Sequence, residues 1–135
     1  MKNYLVDTNV IIDMIAKRED FYVAANEVFD AAYEGKHNLY VCALSCSNIY
    51  YILRRSFGKA ETLKVLEQLT QYVTVLPVDA DVINKALESN FTDFEDAIQY
   101  YSAFNSGIID GIITRNIKDF KESELEVLHP EVFVS

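Results

Sequence analysis

Residues 4–12 read Tyr4-Leu5-Val6-Asp7-Thr8-Asn9-Val10-Ile11-Ile12, a pattern from which the architecture of the whole chain can be inferred. A short apolar, β-prone run stops at a carboxylate, a hydroxyl and an amide, and an apolar helical pattern resumes at once. That order predicts a buried strand followed directly by a helix. In an open α/β sheet, ligands and metals bind in the crevice beyond the carboxyl ends of the strands. Asp7 is therefore expected to serve chemistry, because a Gly or Ser could turn the same corner.

The rest of the chain continues this alternation of short strands and helices. The predicted strands are residues 2–6, 39–43, 73–78 and 108–114, with edge-strand pairing at 125–128 and 132–134. The predicted helices are residues 9–17, 21–32, a segment capped by Ser45 or Ser47, 60–72, a segment capped by Asp79, and a segment with a Thr92–Glu95 capping box. Such alternation predicts βαβ units, and hence an α/β fold with a mainly parallel sheet and helices on both faces.

Length and composition favour one compact cytosolic domain spanning residues 1–135. Half of the residues are hydrophobic and only four are glycine. No apolar run approaches the roughly 18 residues that a membrane span needs, and a charge comes too early for a signal peptide. Cys42 and Cys46 have neither a second pair nor a nearby His, so we interpret them as core or near-core thiols. His37 and His129 lack a matching nucleophile motif and are predicted at the surface.

The charge balance excludes a binding mode that depends on a broad basic face. The chain carries 21 acidic residues against 12 Lys and Arg, for a net charge of −9. Nucleic-acid binders that neutralise many phosphates directly need the opposite balance. An enzyme that meets phosphates through bound divalent cations remains compatible with this composition.

Polar side chains collect at three points that the predicted fold places at strand ends or helix starts. They are Asp7-Thr8-Asn9, Asp93-Phe94-Glu95-Asp96, and Thr114-Arg115-Asn116-Ile117-Lys118-Asp119. Oxygen ligands without a histidine cluster suit Mg²⁺ or Mn²⁺ rather than Zn²⁺. Such ions can activate water and stabilise an in-line phosphoryl displacement.

Each point taken alone also has a purely structural interpretation. Asp93 and Glu95 are interpreted as charges that complement a helix dipole. For Asp96, which flanks the buried stripe of the same helix, both interpretations stay open. Asn116 can cap a short turn that Asp119 solvates.

In series, the three motifs resemble those of the PIN-domain family of metal-dependent ribonucleases. The matching elements are residues 4–13, 93–97 and 113–120. The resemblance covers essentially the whole chain. The family is similar to VapC-type toxins of bacterial toxin–antitoxin pairs. It implies an α/β/α sandwich around a parallel sheet of four or five strands. It also implies three or four acids that bind Mg²⁺ or Mn²⁺ for the hydrolysis of RNA.

Carried over residue by residue, the resemblance makes Asp7 the first acid and Asp96 the third, with Asp119 as the carboxylate nearest the fourth position. The implied supporting residues are Thr8, Asn9 and Thr114. Asn48 stands where the family usually has Glu, and Asn116 where many relatives have Asp. An amide oxygen can bind a hard cation but brings no charge. We therefore predict metal ligands from the set Asp7, Asn48, Asp96, Asn116 and Asp119, in an active but metal-demanding nuclease.

The candidate phosphate contacts are Arg54, Arg55, Lys59 and Arg115, although Arg54 and Arg55 can equally be solvated helix charges. Tyr50 and Tyr51 are interpreted as packing residues, with stacking on bases as the alternative. By resemblance, the expected partners are an RNA substrate, a cognate antitoxin and a second copy of the chain.

Two other functions fit parts of the pattern. A PIN-like domain that has lost activity and binds nucleic acid or protein is favoured by Asn48 and Asn116. A phosphoryl-transfer fold of the receiver or haloacid-dehalogenase kind also places Asp after the first strand. It fits less well, because no Asp follows two residues after Asp7.

Overall fold

Five short strands form one all-parallel sheet in the computed structural model, which describes residues 1–134. The strands are β1 (Lys2–Val6), β2 (His37–Cys42), β3 (Thr74–Leu76), β4 (Gly111–Ile113) and β5 (Glu126–Leu128). Their order across the sheet is β3-β2-β1-β4-β5. The chain therefore builds outward from β1 to one side and then returns to its other side. The point where the direction reverses, beside the end of β1, is where such sheets place their ligands.

Six helices cover the two faces of this sheet. They are α1 (Thr8–Ile15), α2 (Tyr22–Tyr33), α3 (Ala43–Phe57), α4 (Lys59–Leu69), α5 (Ala80–Glu88) and α6 (Phe94–Ser106). Alternate β1 residues point to opposite cores: Val6 packs with α1 to α4, whereas Leu5 packs with α5 and α6. Both side chains are fully buried. The predicted α/β/α sandwich with a parallel sheet is confirmed, and the sheet has five strands.

Several predicted element boundaries were wrong. Helix α3 begins at Ala43 with Cys42 at the N-cap, so neither Ser45 nor Ser47 caps it. The strand predicted over residues 108–114 is limited to Gly111–Ile113. Residues 132–134 do not form a strand, because a 3₁₀ helix spans Pro130–Phe133. Propensity extends elements into flanking β-branched residues, whereas pairing with a neighbouring strand decides where they end.

Two predictions about single residues were also wrong, and two were confirmed. Asp93, not Thr92, caps α6 by accepting a hydrogen bond from the Asp96 N–H at 2.9 Å. His37 is buried, and its Nε2 lies 3.0 Å from the Val28 carbonyl oxygen. Cys42 is buried and Cys46 is partly buried, both as free thiols, in agreement with the prediction.

Among residues 1–134, no helix is both long enough and apolar enough to span a membrane.

Gly111 lies where strand β4 has no room for a side chain. A Cβ atom at this position would lie 3.0 Å from the Glu126 carbonyl oxygen of β5 and 3.3 Å from the Tyr4 ring of β1. Gly111→Ala therefore has to displace one of these neighbours. We expect the free energy of unfolding to fall by about 1–3 kcal/mol, as for other overpacked sites. Urea unfolding measures the change, and an unchanged or higher unfolding free energy would contradict it.

Candidate active site

A cavity of about 380 Å³ opens beyond the carboxyl end of β1. It is lined by the predicted residues Asp7, Thr8, Asn9, Asn48, Asp96, Asn116 and Asp119. It is also lined by Tyr51, Ile52, Asp93, Glu95 and Gln99. The structure thus brings all five predicted metal ligands to one cavity, although they are separated by up to 112 residues in the chain. Thr114, the remaining predicted supporting residue, lies just behind this lining.

Asp7 is held rigidly at the base of the cavity. Its backbone leaves β1 in an extended conformation and forms the N-cap of α1, and only 4% of the residue is exposed. Gln99 Nε2 donates to one carboxylate oxygen at 3.0 Å, and Thr114 Oγ1 donates to the other at 2.8 Å. Burial raises the pKa of Asp7, and these two hydrogen bonds oppose that rise. The carboxylate is therefore fixed in orientation and costly to keep ionised.

Two residues that we did not predict complete this support, Gln99 and Ser45. Thr8 Oγ1 donates to Ser45 Oγ at 2.7 Å, and Ser45 Oγ donates to Gln99 Oε1 at 3.4 Å. Gln99 then reaches Asp7, so the network joins α1, α3 and α6 through buried polar groups. One signal for Gln99 was present in the sequence, because it lies three residues after Asp96 and so on the same helix face. Ser45 had been interpreted as a helix cap.

Asp96 lies in the first turn of α6, half-buried at the wall of the cavity. Its pKa is raised to about 7, first by burial and then by the charges of Asp7, Asp93, Asp119 and Glu95. The acids of this cavity therefore repel one another, as carboxylates that share a site do. A divalent cation among them would relieve that repulsion.

Asn48 and Asn116 present amide groups to the same cavity. Asn48 Nδ2 donates to Glu95 Oε2 at 3.3 Å, and its carbonyl oxygen can still accept or bind a cation. Asn116 precedes a 3₁₀ helix over Ile117–Phe120, but its side chain makes no capping hydrogen bond there. Asn116 and Asp119 are both exposed on this turn. The donor set is thus entirely oxygen, as Mg²⁺ and Mn²⁺ prefer.

The predicted metal ligands share one cavity within residues 1–134, but they do not form a preformed metal site. Within residues 1–134, no three His, Cys, Asp or Glu side chains are already arranged to hold a metal ion together. The oxygen chemistry of the set and the raised pKa of Asp96 nevertheless fit a divalent cation. The residues therefore have the ligand chemistry that a divalent cation needs, and their side chains would have to move to bind it.

The predicted phosphate contacts are dispersed around this cavity. The Arg54 guanidinium lies 4.7 Å from the ring centroid of Tyr51, which is 56% exposed and lines the cavity. Arg55 and Lys59 are exposed around the junction of α3 and α4 and do not line the cavity. Arg115 does not line the cavity: its Nε donates to Asp13 at 2.6 Å, and it lines an adjoining depression that shares Asn116 and Asp119 with the cavity.

Comparisons with known structures find the same fold. A toxin–antitoxin complex from Klebsiella pneumoniae matches with 20% identity and a TM-score of 0.71, over 94% of this chain and 97% of that one. VapBC2 from Rickettsia felis, bound to a DNA fragment from its promoter, matches with 17% identity and a TM-score of 0.67, over 94% and 98%. VapC20 from Mycobacterium tuberculosis, described as a sarcin–ricin loop cleaving toxin, matches with 17% identity and a TM-score of 0.64, over 81% and 86%.

Comparison of the sequence with curated proteins gives no match. A family model described as the PIN domain matches residues 3–118. The match begins within β1 and runs into the 3₁₀ turn that carries Asp119, so it contains four of the five cavity ligands that we predicted. The chain therefore belongs to the PIN-domain family.

Proposed function

We propose that this protein is a divalent-metal-dependent endoribonuclease and the toxin of a toxin–antitoxin pair. The observation that carries the proposal is that Asp7, Asp96 and Asp119 line one cavity. It lies at the end of β1, where the order of the strands reverses. An acidic cavity of this kind would repel an RNA backbone unless cations bound there, since both carry negative charge. Membership of the PIN-domain family supports the same conclusion.

In the proposed reaction, Asp7, Asp96 and Asp119 would hold Mg²⁺ or Mn²⁺ with the amide oxygens of Asn48 and Asn116. When bound, such an ion lowers the pKa of water and offsets charge on the phosphate. Gln99 and Thr114 keep the Asp7 carboxylate in one orientation, so little reorganisation is needed on binding. Thr8 and Ser45 hold Gln99 in turn.

The substrate would approach past Tyr51 and Arg54 on α3. Tyr51 lines the cavity and Arg54 lies over its ring, which places a cation and an aromatic surface at the edge of the acid cluster. Aromatic rings stack on unpaired bases, and guanidinium groups bind phosphates. We assign these two residues to substrate binding, with Arg55 and Lys59 as more distant contributors to the local positive charge.

The proposed partner is an antitoxin, by analogy with the toxin–antitoxin complexes that share this fold. We also propose that the protein forms a homodimer, as the family resemblance implies. Co-expression with the neighbouring open reading frame, followed by size-exclusion chromatography with light scattering, tests both. A toxin is expected to elute in a complex with the neighbour and as a dimer without it.

Calorimetric titration with Mn²⁺, paired with cleavage assays on a panel of structured RNAs, tests the enzyme proposal. We expect binding of Mn²⁺ and cleavage that chelation by EDTA abolishes. Absence of Mn²⁺ binding would reject the nuclease mechanism. Binding without cleavage of any RNA in the panel would favour the second candidate function.

That second candidate is a PIN domain that binds nucleic acid or protein without cleaving it. The neutral Asn48 and Asn116 side chains favour it, since they replace two of the acids that the family usually carries. The absence of a preformed ligand cage within residues 1–134 favours it as well.

Asn48→Glu is expected to raise Mn²⁺ affinity on the order of tenfold, because ligand charge tunes the affinity of carboxylate sites. The new carboxylate would lie beside Glu95, which now accepts a hydrogen bond from Asn48. Without metal, the variant is therefore expected to be less stable than the parent. Calorimetry and thermal unfolding with and without Mn²⁺ measure both effects. Asn48→Gln is the matched control, and equal affinities for the two variants would contradict the expectation.

A further inference from the structure

Outside the cavity, one buried carboxylate has no part in the function proposed above. Asp13 of α1 is 1% exposed, and the Arg115 Nε and Nη2 atoms donate to its two oxygens at 2.6 and 3.3 Å. Arg18 approaches the same carboxylate from the surface at 3.4 Å. The Arg115 guanidinium also lies over the Phe21 ring, 3.8 Å from its centroid. Arg115 is thus engaged on two sides by residues from outside its own segment.

This ion pair is more than stability alone would require. Removing two charges from water is unfavourable, and hydrophobic replacements of buried pairs are often as stable. A two-pronged guanidinium contact does, however, fix direction and distance better than apolar packing does. The geometry of the pair therefore points to a positioning role.

The segment that follows Arg115 is exposed and makes local hydrogen bonds. Residues 116–119 are all exposed, and their backbone hydrogen bonds are local: the Asn116 N–H donates to Thr114 Oγ1, and the Asp119 N–H donates to the Asn116 carbonyl oxygen. Phe120, which is 1% exposed, holds the far end in the core. At the near end, the buried Thr114 is hydrogen-bonded to Leu128 and Asp7, and Arg115 adds a side-chain anchor to α1. Asn116 and Asp119 lie between these two anchors.

We propose that the Asp13–Arg115 pair, packed on Phe21, is a positioning device that holds the 116–119 segment against α1 and so places Asn116 and Asp119 at the cavity. Arg115 then acts through its neighbours and does not serve as a phosphate contact. The consequence for metal binding rests on the proposed nuclease function, whereas the anchoring of the segment does not.

Hydrogen exchange in metal-free protein tests the anchoring directly. Arg115→Ala is expected to raise amide exchange in peptides covering residues 115–120 by at least about fivefold, because the segment loses its side-chain anchor to α1. Arg18→Ala is the matched control, since it removes the other arginine from the same carboxylate and leaves the 115–120 segment intact. We expect exchange in that segment to stay at the wild-type level in the control.

Mn²⁺ calorimetry and steady-state kinetics on the same variants test the consequence. Loss of a residue that orients metal ligands typically costs 10- to 100-fold in affinity, so Arg115→Ala should weaken Mn²⁺ binding at least about tenfold and lower kcat with little change in KM. If Arg115→Ala does not fold, Arg115→Lys keeps a cation beside Asp13 and should show intermediate changes in exchange and affinity.

Three results would overturn the proposal. The first is wild-type exchange of residues 115–120 in Arg115→Ala, or equal exchange in Arg115→Ala and Arg18→Ala. The second is faster exchange with unchanged Mn²⁺ affinity. The third is a higher KM with unchanged kcat and a weaker salt dependence, which is the behaviour of a phosphate contact. If wild-type protein binds no Mn²⁺, the nuclease proposal fails, and the exchange comparison still decides whether Arg115 anchors the segment.

Discussion

Replacing Asp7 by Asn is expected to abolish Mn²⁺ binding and to lower RNA cleavage at least about 100-fold. Loss of an outer-shell partner of a metal ligand already costs 10- to 100-fold, and Asp7 is assigned as a direct ligand. It is also the most buried acid of the cavity, at 4% exposure, and the one whose two oxygens are both held by hydrogen bonds. An amide cannot supply the charge that attracts the cation.

The loss should not come from unfolding. Asn has the shape of Asp and can still accept a hydrogen bond from Gln99 or Thr114. Burial raises the pKa of Asp7, so a neutral side chain avoids that cost, and we expect unfolding stability to be unchanged or higher. Asp110→Asn, a substitution at the opposite end of the sheet where Asp110 accepts from the Asn3 N–H, is the control. Mn²⁺ binding and cleavage at wild-type levels in Asp7→Asn would contradict the assignment.

Asp96→Asn is expected to reduce activity at least tenfold and to stabilise the metal-free protein above pH 7. The pKa of Asp96 rises from 3.8 to about 7 on folding, so the folded state holds the proton more tightly than the unfolded chain. Unfolding stability therefore falls as pH rises from about 4 to about 7 and levels off above that range. Asn removes this cost. After allowance for screening at a half-buried site, the gain at pH 8 is about 1–2 kcal/mol.

Urea unfolding of wild type and Asp96→Asn at pH 4 and pH 8 in EDTA measures this difference. The two proteins should differ at pH 8 and converge near pH 4. Asp81→Asn is the control, because the pKa of Asp81 is shifted in the opposite direction: its hydrogen bond with Lys85 lowers it. Removing the Asp81 charge should therefore give no gain in stability. An equal difference at both pH values would show that the charge repulsion is not responsible.

The sequence was informative where a physical rule relates a residue pattern to a position in the fold. An apolar strand that stops at Asp7 predicted a carboxylate at a strand end, and the parallel sheet predicted that Asn116 and Asp119 would face the same crevice. Those expectations required only alternation and the direction of parallel strands. Asn48, and the role of Asp96 as the third acid, came instead from the family resemblance, and both residues line the cavity.

Other features depended on contacts that no local pattern encodes. Gln99 lies on the helix face of Asp96, but no local pattern shows that its amide reaches Asp7, which lies 92 residues earlier. Arg115 reads as a free cation, and its partner Asp13 lies 102 residues earlier. His37 was predicted at the surface because no nucleophile motif accompanies it, but it packs edge-on against the rings of Tyr4 and Phe133. Long-range pairing, not composition, decided each case.

The position of β1 between β2 and β4 has a consequence during synthesis. Asp7 emerges first from the ribosome, whereas β4 and the turn that carries Asp119 are made more than 100 residues later. Pairings so distant in the chain form late in folding. A nascent chain therefore has no complete acid cavity until the turn that carries Asp119 has left the ribosome and β4 has paired with β1.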